Sequence, residues 1–251
     1  MKPRTCAPPR TTRRFRSLLL AAGVCMLVWC PLSPTRADQS YVTATFDDKT
    51  VDQPIGTGGP ALGEPTWVDA EIEAIVRATP FETLCLEVRN LTGGGNLGFE
   101  LGGPISEGIV AIIIDLWFYE GTVCNYWLDS YNSSWQQLTK ISFNSDGTFY
   151  IVDPAGRATE DMPCPTGRAL PVLMVFNLDA GTYSVWVDEV QQVNDRPLSV
   201  TIYDFQRIMV AAGWDCPEGN RFSMDQIRII DREPQVPVET PTWGSLRALF
   251  R

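Results

Sequence analysis

The chain has 251 residues, 44% of them hydrophobic and 20% charged, with a mean hydropathy of −0.06, enough apolar matter for one large buried core or two small ones. It contains no histidine, which excludes Ser-His-Asp and Cys-His nucleophile systems, histidine-ligated zinc and a histidine pH switch. A formal net charge of −10 and a pI near 4.5 argue against general affinity for nucleic acid or anionic lipid.

Positions 1–37 read as a secretory signal peptide. Lys2, Arg4, Arg10, Arg13, Arg14 and Arg16 precede the first acidic residue, Asp38. The apolar run Leu18–Trp29 has the length of a signal h-region and is too short for a membrane span of about twenty residues. Thr35-Arg36-Ala37 sets small residues three and one before a cut between Ala37 and Asp38. Leu27–Cys30 fails as a lipoprotein box because Trp29 stands where a small residue is needed. No later stretch is apolar enough to span a bilayer, so the expected location is secreted, periplasmic or cell-surface. Loss of the leader leaves 13 basic against 30 acidic residues, a balance that repels polyanions.

Beyond the leader, period-2 apolar segments recur with turn residues between them, and no helical period is sustained. Tyr41–Asp47 is a first strand, followed by the glycine- and proline-rich loop Gly56–Pro65, which lacks the Lys-Ser/Thr of a phosphate-binding loop. Trp67–Arg77 and Thr83–Asn90 come next, then a short strand over Leu97–Leu101. Gly108–Glu120 predicts a central strand, with Val110, Ile112, Ile114, Leu116 and Phe118 on a fully buried face and a largely covered face opposite. Lys140–Asn144 and Thr148–Val152 flank an Asp146-Gly147 turn, and Leu170–Asp179 and Thr182–Asp188 flank Ala180-Gly181. Leu198–Ala212 and Phe222–Ile230 close the set. The fold class is therefore all-β, an antiparallel sandwich of about 12–14 strands over residues 38–232. Residues 233–251 form a proline-rich linker and a short amphipathic tail, which reads either as a loosely attached end or as a tag for sorting or anchoring machinery.

Removal of the leader also removes Cys6, Cys25 and Cys30. Cys85, Cys124, Cys164 and Cys216 remain, an even number that predicts two disulfides in an exported chain, with three connectivities open. No C-x-x-C pair occurs, so thiolate-metal and redox motifs are absent.

The hairpin Phe176–Asp188, the strand Ile208–Ala212 and the closing strand Ser223–Ile230 together resemble the C-terminal half of laminin-G-like, concanavalin-like jelly rolls. Thr45-Phe46-Asp47 followed by Gly58–Gly63 looks like the opening of secreted bacterial proteins with this sandwich. The resemblance covers most of residues 40–231 as a strand pattern. It implies two curved antiparallel sheets whose concave face often binds glycans, in a superfamily that holds lectins, adhesion modules, glucanases and lyases.

The sharpest local pattern is Asp69-Ala-Glu71-Ile-Glu73. At strand period all three carboxylates share a face, the arrangement that paired-carboxylate glycoside hydrolysis uses and that a solvated outer strand also produces. Jelly-roll glucanases carry a similar acidic strand, from whose residue order this one departs. Trp127, Trp135 and Trp186 are candidates for sugar stacking, Trp186 as the most exposed because it shares a face with Ser184 and Asp188. Asp47, Asp48, Asp52, Asp179 and Asp188 could ligate calcium but lack the density of a dedicated loop, so no cofactor or metal site is assigned. Asn90-Leu-Thr92 and Asn132-Ser-Ser134 are glycosylation sequons. The reading is an exported, non-catalytic binding or cell-envelope module with a glycan or polysaccharide partner. Its alternatives are a carbohydrate-active enzyme using Asp69, Glu71 and Glu73, and a structural surface protein without a small ligand.

Overall fold

The computed structural model describes residues 39–232 apart from Val123. The signal peptide expected at 1–37 and the linker and tail expected at 233–251 lie outside the described residues. The strands, in chain order, are β1 (Gln39–Ala44), β2 (Trp67–Val68), β3 (Ile72–Arg77), β4 (Cys85–Asn90), β5 (Gly95–Ile105), β6 (Ile109–Phe118), β7 (Tyr126–Tyr131) and β8 (Gln137–Phe143). They continue with β9 (Thr148–Asp153), β10 (Gly156–Arg157), β11 (Met162–Pro163), β12 (Ala169–Asn177), β13 (Thr182–Val187), β14 (Val190–Pro197), β15 (Phe205–Ala212) and β16 (Arg221–Arg232). One 3-10 turn, Pro60–Leu62, is the only helical element among the described residues, and none is long and apolar enough to cross a membrane.

Two antiparallel sheets face each other, as the alternation requires. The first runs β14-β13-β12-β6-β16-β4-β3, with β1 also paired to β16. The second runs β10-β9-β8-β7-β15-β5-β2, with β11 paired to β9. The sheets enclose one continuous apolar core. β6 lies at the centre of the first sheet because both its faces can be covered. Val110, Ile112, Ile114, Leu116 and Phe118 point inward and are buried, and burial of each side chain contributes about 1.5–3 kcal/mol. At one end Phe118, Tyr126, Phe143 and Phe222 interlock, with ring centroids 4.8 Å apart for Phe118–Phe143 and 4.7 Å for Tyr126–Phe222.

The expected hairpins form where the turn chemistry placed them. Gly147 takes φ 79°, and Asp146 accepts the Thr148 N–H at 3.0 Å. Three departures affect the site. Trp67–Arg77 is not one strand: the chain pairs with the second sheet at Trp67–Val68, crosses over at Asp69–Glu71 and joins the first sheet from Ile72. β7 and β14 are strands without an apolar alternation to announce them, and Leu198–Asp204 is loop rather than strand.

Of the four cysteines, Cys124 and Cys216 form a disulfide, while Cys85 and Cys164 are thiols. This corrects the expectation of two bridges. Cys85 opens β4 in the first sheet, donating to the Thr79 carbonyl at 3.1 Å, whereas Cys164 follows β11 at the edge of the second sheet. Their side chains are lodged in different neighbourhoods. Burial pushes both thiols up, to about 11 and about 12 respectively, so neither is a ready thiolate.

Candidate functional site on the second sheet

The outward residues of the second sheet fall into register across three strands. Trp127, Ala211 and Asn96 form one level, Asp129, Met209 and Gly98 the next, and Tyr131, Arg207 and Glu100 the third. Over the first two levels lies a groove of about 530 Å³, walled by the crossover residues Asp69 and Glu71 and by Trp127, Asp129, Lys140 and Trp214. The Cys124–Cys216 bridge joins the segment entering β7 to the one leaving β15, and so ties the loop that carries Trp214 to the strand that carries Trp127. Trp214 is 85% exposed at the rim.

Asp129 occupies the floor. It is only 3% exposed, its Oδ1 accepts from Gln137 Nε2 at 2.8 Å, and its Oδ2 accepts from the Tyr131 hydroxyl at 3.3 Å. Burial raises its pKa, against the opposing pull of Lys140, its register partner on β8, and of the two hydrogen bonds. Lys140 lies over the indole of Trp127, 4.1 Å from the ring centroid. A carboxyl group whose burial favours its protonated form therefore sits beside a tryptophan wall.

The acidic trio does not share a face, because the change of sheet at Asp69–Glu71 breaks the period. Asp69 fixes the crossover through its Oδ2, which accepts from the Asn96 backbone N–H at 3.0 Å and from Asn96 Nδ2 at 2.6 Å. Glu71 is exposed on the groove wall, and its carboxylate has no hydrogen-bond partner among the described residues. Glu73 lies in β3 of the first sheet, in register with Arg89 and 3.9 Å from it, away from the groove. The trio thus supplies two wall residues, and the floor carboxyl Asp129 comes from a strand that sequence reasoning did not identify.

The tryptophan candidates also separate. Trp127 lines the groove, and Trp135, 56% exposed, stands on the same outer face. Trp186 corrects the expectation of exposure: it is 5% exposed, packed with Ala111 and Leu173 on the opposite side of the molecule. That outer face of the first sheet carries its own small apolar cluster, and the polar neighbours Ser184 and Asp188 conceal it in the sequence.

The acidic loop positions are dispersed among unrelated partners. Asp47 accepts from the Leu84 N–H, Asp48 and Asp52 pair with Lys49 and Arg77, Asp179 accepts from the Gly108 N–H, and Asp188 pairs with Arg168. No cluster of metal-ligating side chains occurs among the described residues. Both sequon asparagines are buried with their amides engaged. Asn90 donates to the Cys216 and Pro217 carbonyls, and Asn132 donates to Gln136 Oε1 and the Ile202 carbonyl.

No protein-family model matches the chain, and no curated protein matches it. Solved structures do. The catalytic domain of the glycoside hydrolase family 131 protein from Coprinopsis cinerea aligns over 80% of this chain and 97% of that one, at 9% identity and a TM-score of 0.53. A GH131 β-glucanase catalytic domain from Podospora anserina aligns over 82% and 99%, at 11% identity and a TM-score of 0.52. A Trypanosoma rangeli sialidase is matched at 12% identity and a TM-score of 0.46, and this chain spans only 29% of its length. At such identities the likeness to the two GH131 domains establishes the fold alone.

Proposed function

We propose that this chain is an exported, concanavalin-like jelly-roll protein that binds a polysaccharide in the groove of the second sheet and cleaves its glycosidic bonds. Asp129 would donate the proton to the leaving oxygen, and Glu71 would serve as the second carboxylate. The observation that carries the reading is Asp129 itself, a buried carboxyl of raised pKa on the floor of a tryptophan-walled groove. Glycoside hydrolysis needs two carboxyl groups in different environments, and Asp129 on the buried floor and Glu71 on the exposed wall differ in that way. The fold shared with two glycoside hydrolase domains supports the reading, as does the leader expected at 1–37.

The groove also supports a choice of substrate class. Even with Asp129 protonated, Asp69 and Glu71 outnumber Lys140, the one cation among the described lining residues, so a polyuronate would meet repulsion where a neutral glycan would not. A second reading, binding without turnover, draws on the hydrogen bonds that hold both oxygens of Asp129.

The test is release of reducing ends from a panel of neutral polysaccharides by the mature chain and by its Asp129→Asn variant. The proposal expects turnover on at least one polymer and a loss of about 10²-fold or more in the variant, the usual size of a general-acid contribution. Retention on a polymer with no turnover by the unaltered chain would favour the second reading. Equal turnover by both forms would remove Asp129 from the chemistry.

A further inference from the structure

We propose that Trp67 and Trp135 form a second sugar-stacking subsite beyond the groove, so that the site takes an internal stretch of a neutral glycan chain with residues bound on both sides of Asp129. This rests on the glycan reading above and adds the direction and minimum extent of the ligand.

The strand register sets the layout. Along β7 the outward side chains are Trp127, Asp129 and Tyr131, and successive outward residues on a strand are about 7 Å apart. Trp127 and Trp214 therefore stand on one side of Asp129 and Tyr131 with Trp135 on the other, while Trp67 flanks them across the sheet, over Gly98 at the level of Asp129. The last three rings are continuous: Tyr131 and Trp135 have ring centroids 5.7 Å apart, and Trp135 and Trp67 6.3 Å apart. Tyr131 also reaches back to donate to Asp129, which couples the platform to the floor of the groove.

Each ring is held in place before any ligand arrives. Trp67 lies across the sheet over Gly98, where a Cβ would overlap its six-membered ring, and its Nε1 donates to Asn96 Oδ1 at 2.7 Å. Asn96 in turn is bound to Asp69, so one network orients both the ring and the crossover. Trp135 covers the guanidinium of Arg207, 3.8 Å from centroid to Cζ. Arg207 is 3% exposed and bonded to Glu100 at 2.6 Å, while its Nε has no hydrogen-bond partner among the described residues.

The loop under Trp135 shows the same pre-arrangement. Trp135 takes φ 59°, a left-handed conformation that costs a non-glycine residue about 1–3 kcal/mol and persists only where its surroundings enforce it. Asn132 and Asp204 enforce it: Asn132 Oδ1 accepts from the Ser134 and Gln136 N–H groups, and Asp204 accepts from the Ser133 N–H and hydroxyl. Beyond its contacts with Arg207, Tyr131 and Trp67, the indole on this strained loop leaves more than half of its surface open. Against the flat C–H face of a pyranose ring it gains a stacking contact, with little ordering cost left to meet on binding.

The experiment uses the Asp129→Asn chain, which binds without consuming its ligand, titrated with trimers and hexamers of neutral β-linked gluco-oligosaccharides. The proposal expects the hexamer to bind more tightly than the trimer. Adding Trp135→Ala should then lose that gain, about tenfold or 1.4 kcal/mol, with trimer affinity unchanged and Trp135→Phe restoring most of it. Equal weakening of trimer and hexamer, or no effect on either, would overturn the second subsite and leave the glycan reading standing. Binding of neither oligosaccharide would overturn both. Circular dichroism of each variant separates a lost contact from a lost fold.

Discussion

The single disulfide is the feature whose energetic consequence can be worked most directly. Cys124 and Cys216 are separated by 92 residues, and a cross-link closing a loop of that length removes unfolded-chain entropy equivalent to about 4–5 kcal/mol. Both cysteines are buried, so alanine at each position removes the link without introducing a polar group. The Cys124→Ala/Cys216→Ala double variant should therefore unfold in urea with a stability lower by roughly that amount, against a total of about 5–15 kcal/mol typical of a domain. Reductant should destabilise the unaltered chain comparably and leave the double variant unchanged, because Cys85 and Cys164 are not joined. A loss below about 1 kcal/mol would refute the loop-entropy reasoning. A reductant-dependent shift in the double variant would reveal a second bridge and contradict the pairing described above.

Two further outcomes follow from the groove. Asp129 has a raised pKa in the fold, so the unfolded chain gives up that proton first as pH rises; the cost of burying the carboxylate is absent in acid, grows above the ordinary carboxylate pKa and is complete above the raised one. Asp129→Asn should accordingly be more stable than the unaltered chain at neutral pH and not in acid, read from urea midpoints at both; equal differences at the two pH values would contradict the burial argument. Part of the pH dependence should survive in the variant, because burial also raises Asp225. Gly98→Ala should displace Trp67 from the sheet, costing about 1–3 kcal/mol of stability by overpacking and weakening oligosaccharide binding. Unchanged stability and affinity would show that the ring does not need the glycine beneath it.

The sandwich was legible because its central strand leaves little alternative. β6 is β-branched on both faces, and the Asp-Gly and Ala-Gly turns mark two hairpins by their backbone demands. The candidate site was much less legible. β7 reads Tyr126-Trp-Leu-Asp-Ser-Tyr131, with Tyr126, Leu128 and Ser130 inward and Trp127, Asp129 and Tyr131 outward, so neither face is distinctly apolar. β14 is a polar edge strand without apolar alternation, interrupted by Asp195 at positive φ. The acidic alternation of Asp69, Glu71 and Glu73 is genuine, but the chain changes sheet within it, a tertiary event without a local signature beyond the short run itself. Cysteine parity counts partners and says nothing of distance, so it predicted two bridges where one forms and Cys85 and Cys164 stay apart.

The most direct test of the account is a map of the seven tryptophan indole N–H resonances of residues 38–251, carrying Asp129→Asn, during titration with a neutral β-linked gluco-hexamer. The account predicts that the indoles of Trp127, Trp135, Trp214 and Trp67 shift together, while those of Trp117 and Trp186, on the first sheet, remain where they are. Shifts confined to Trp117 and Trp186, or no shift at any indole, would contradict it.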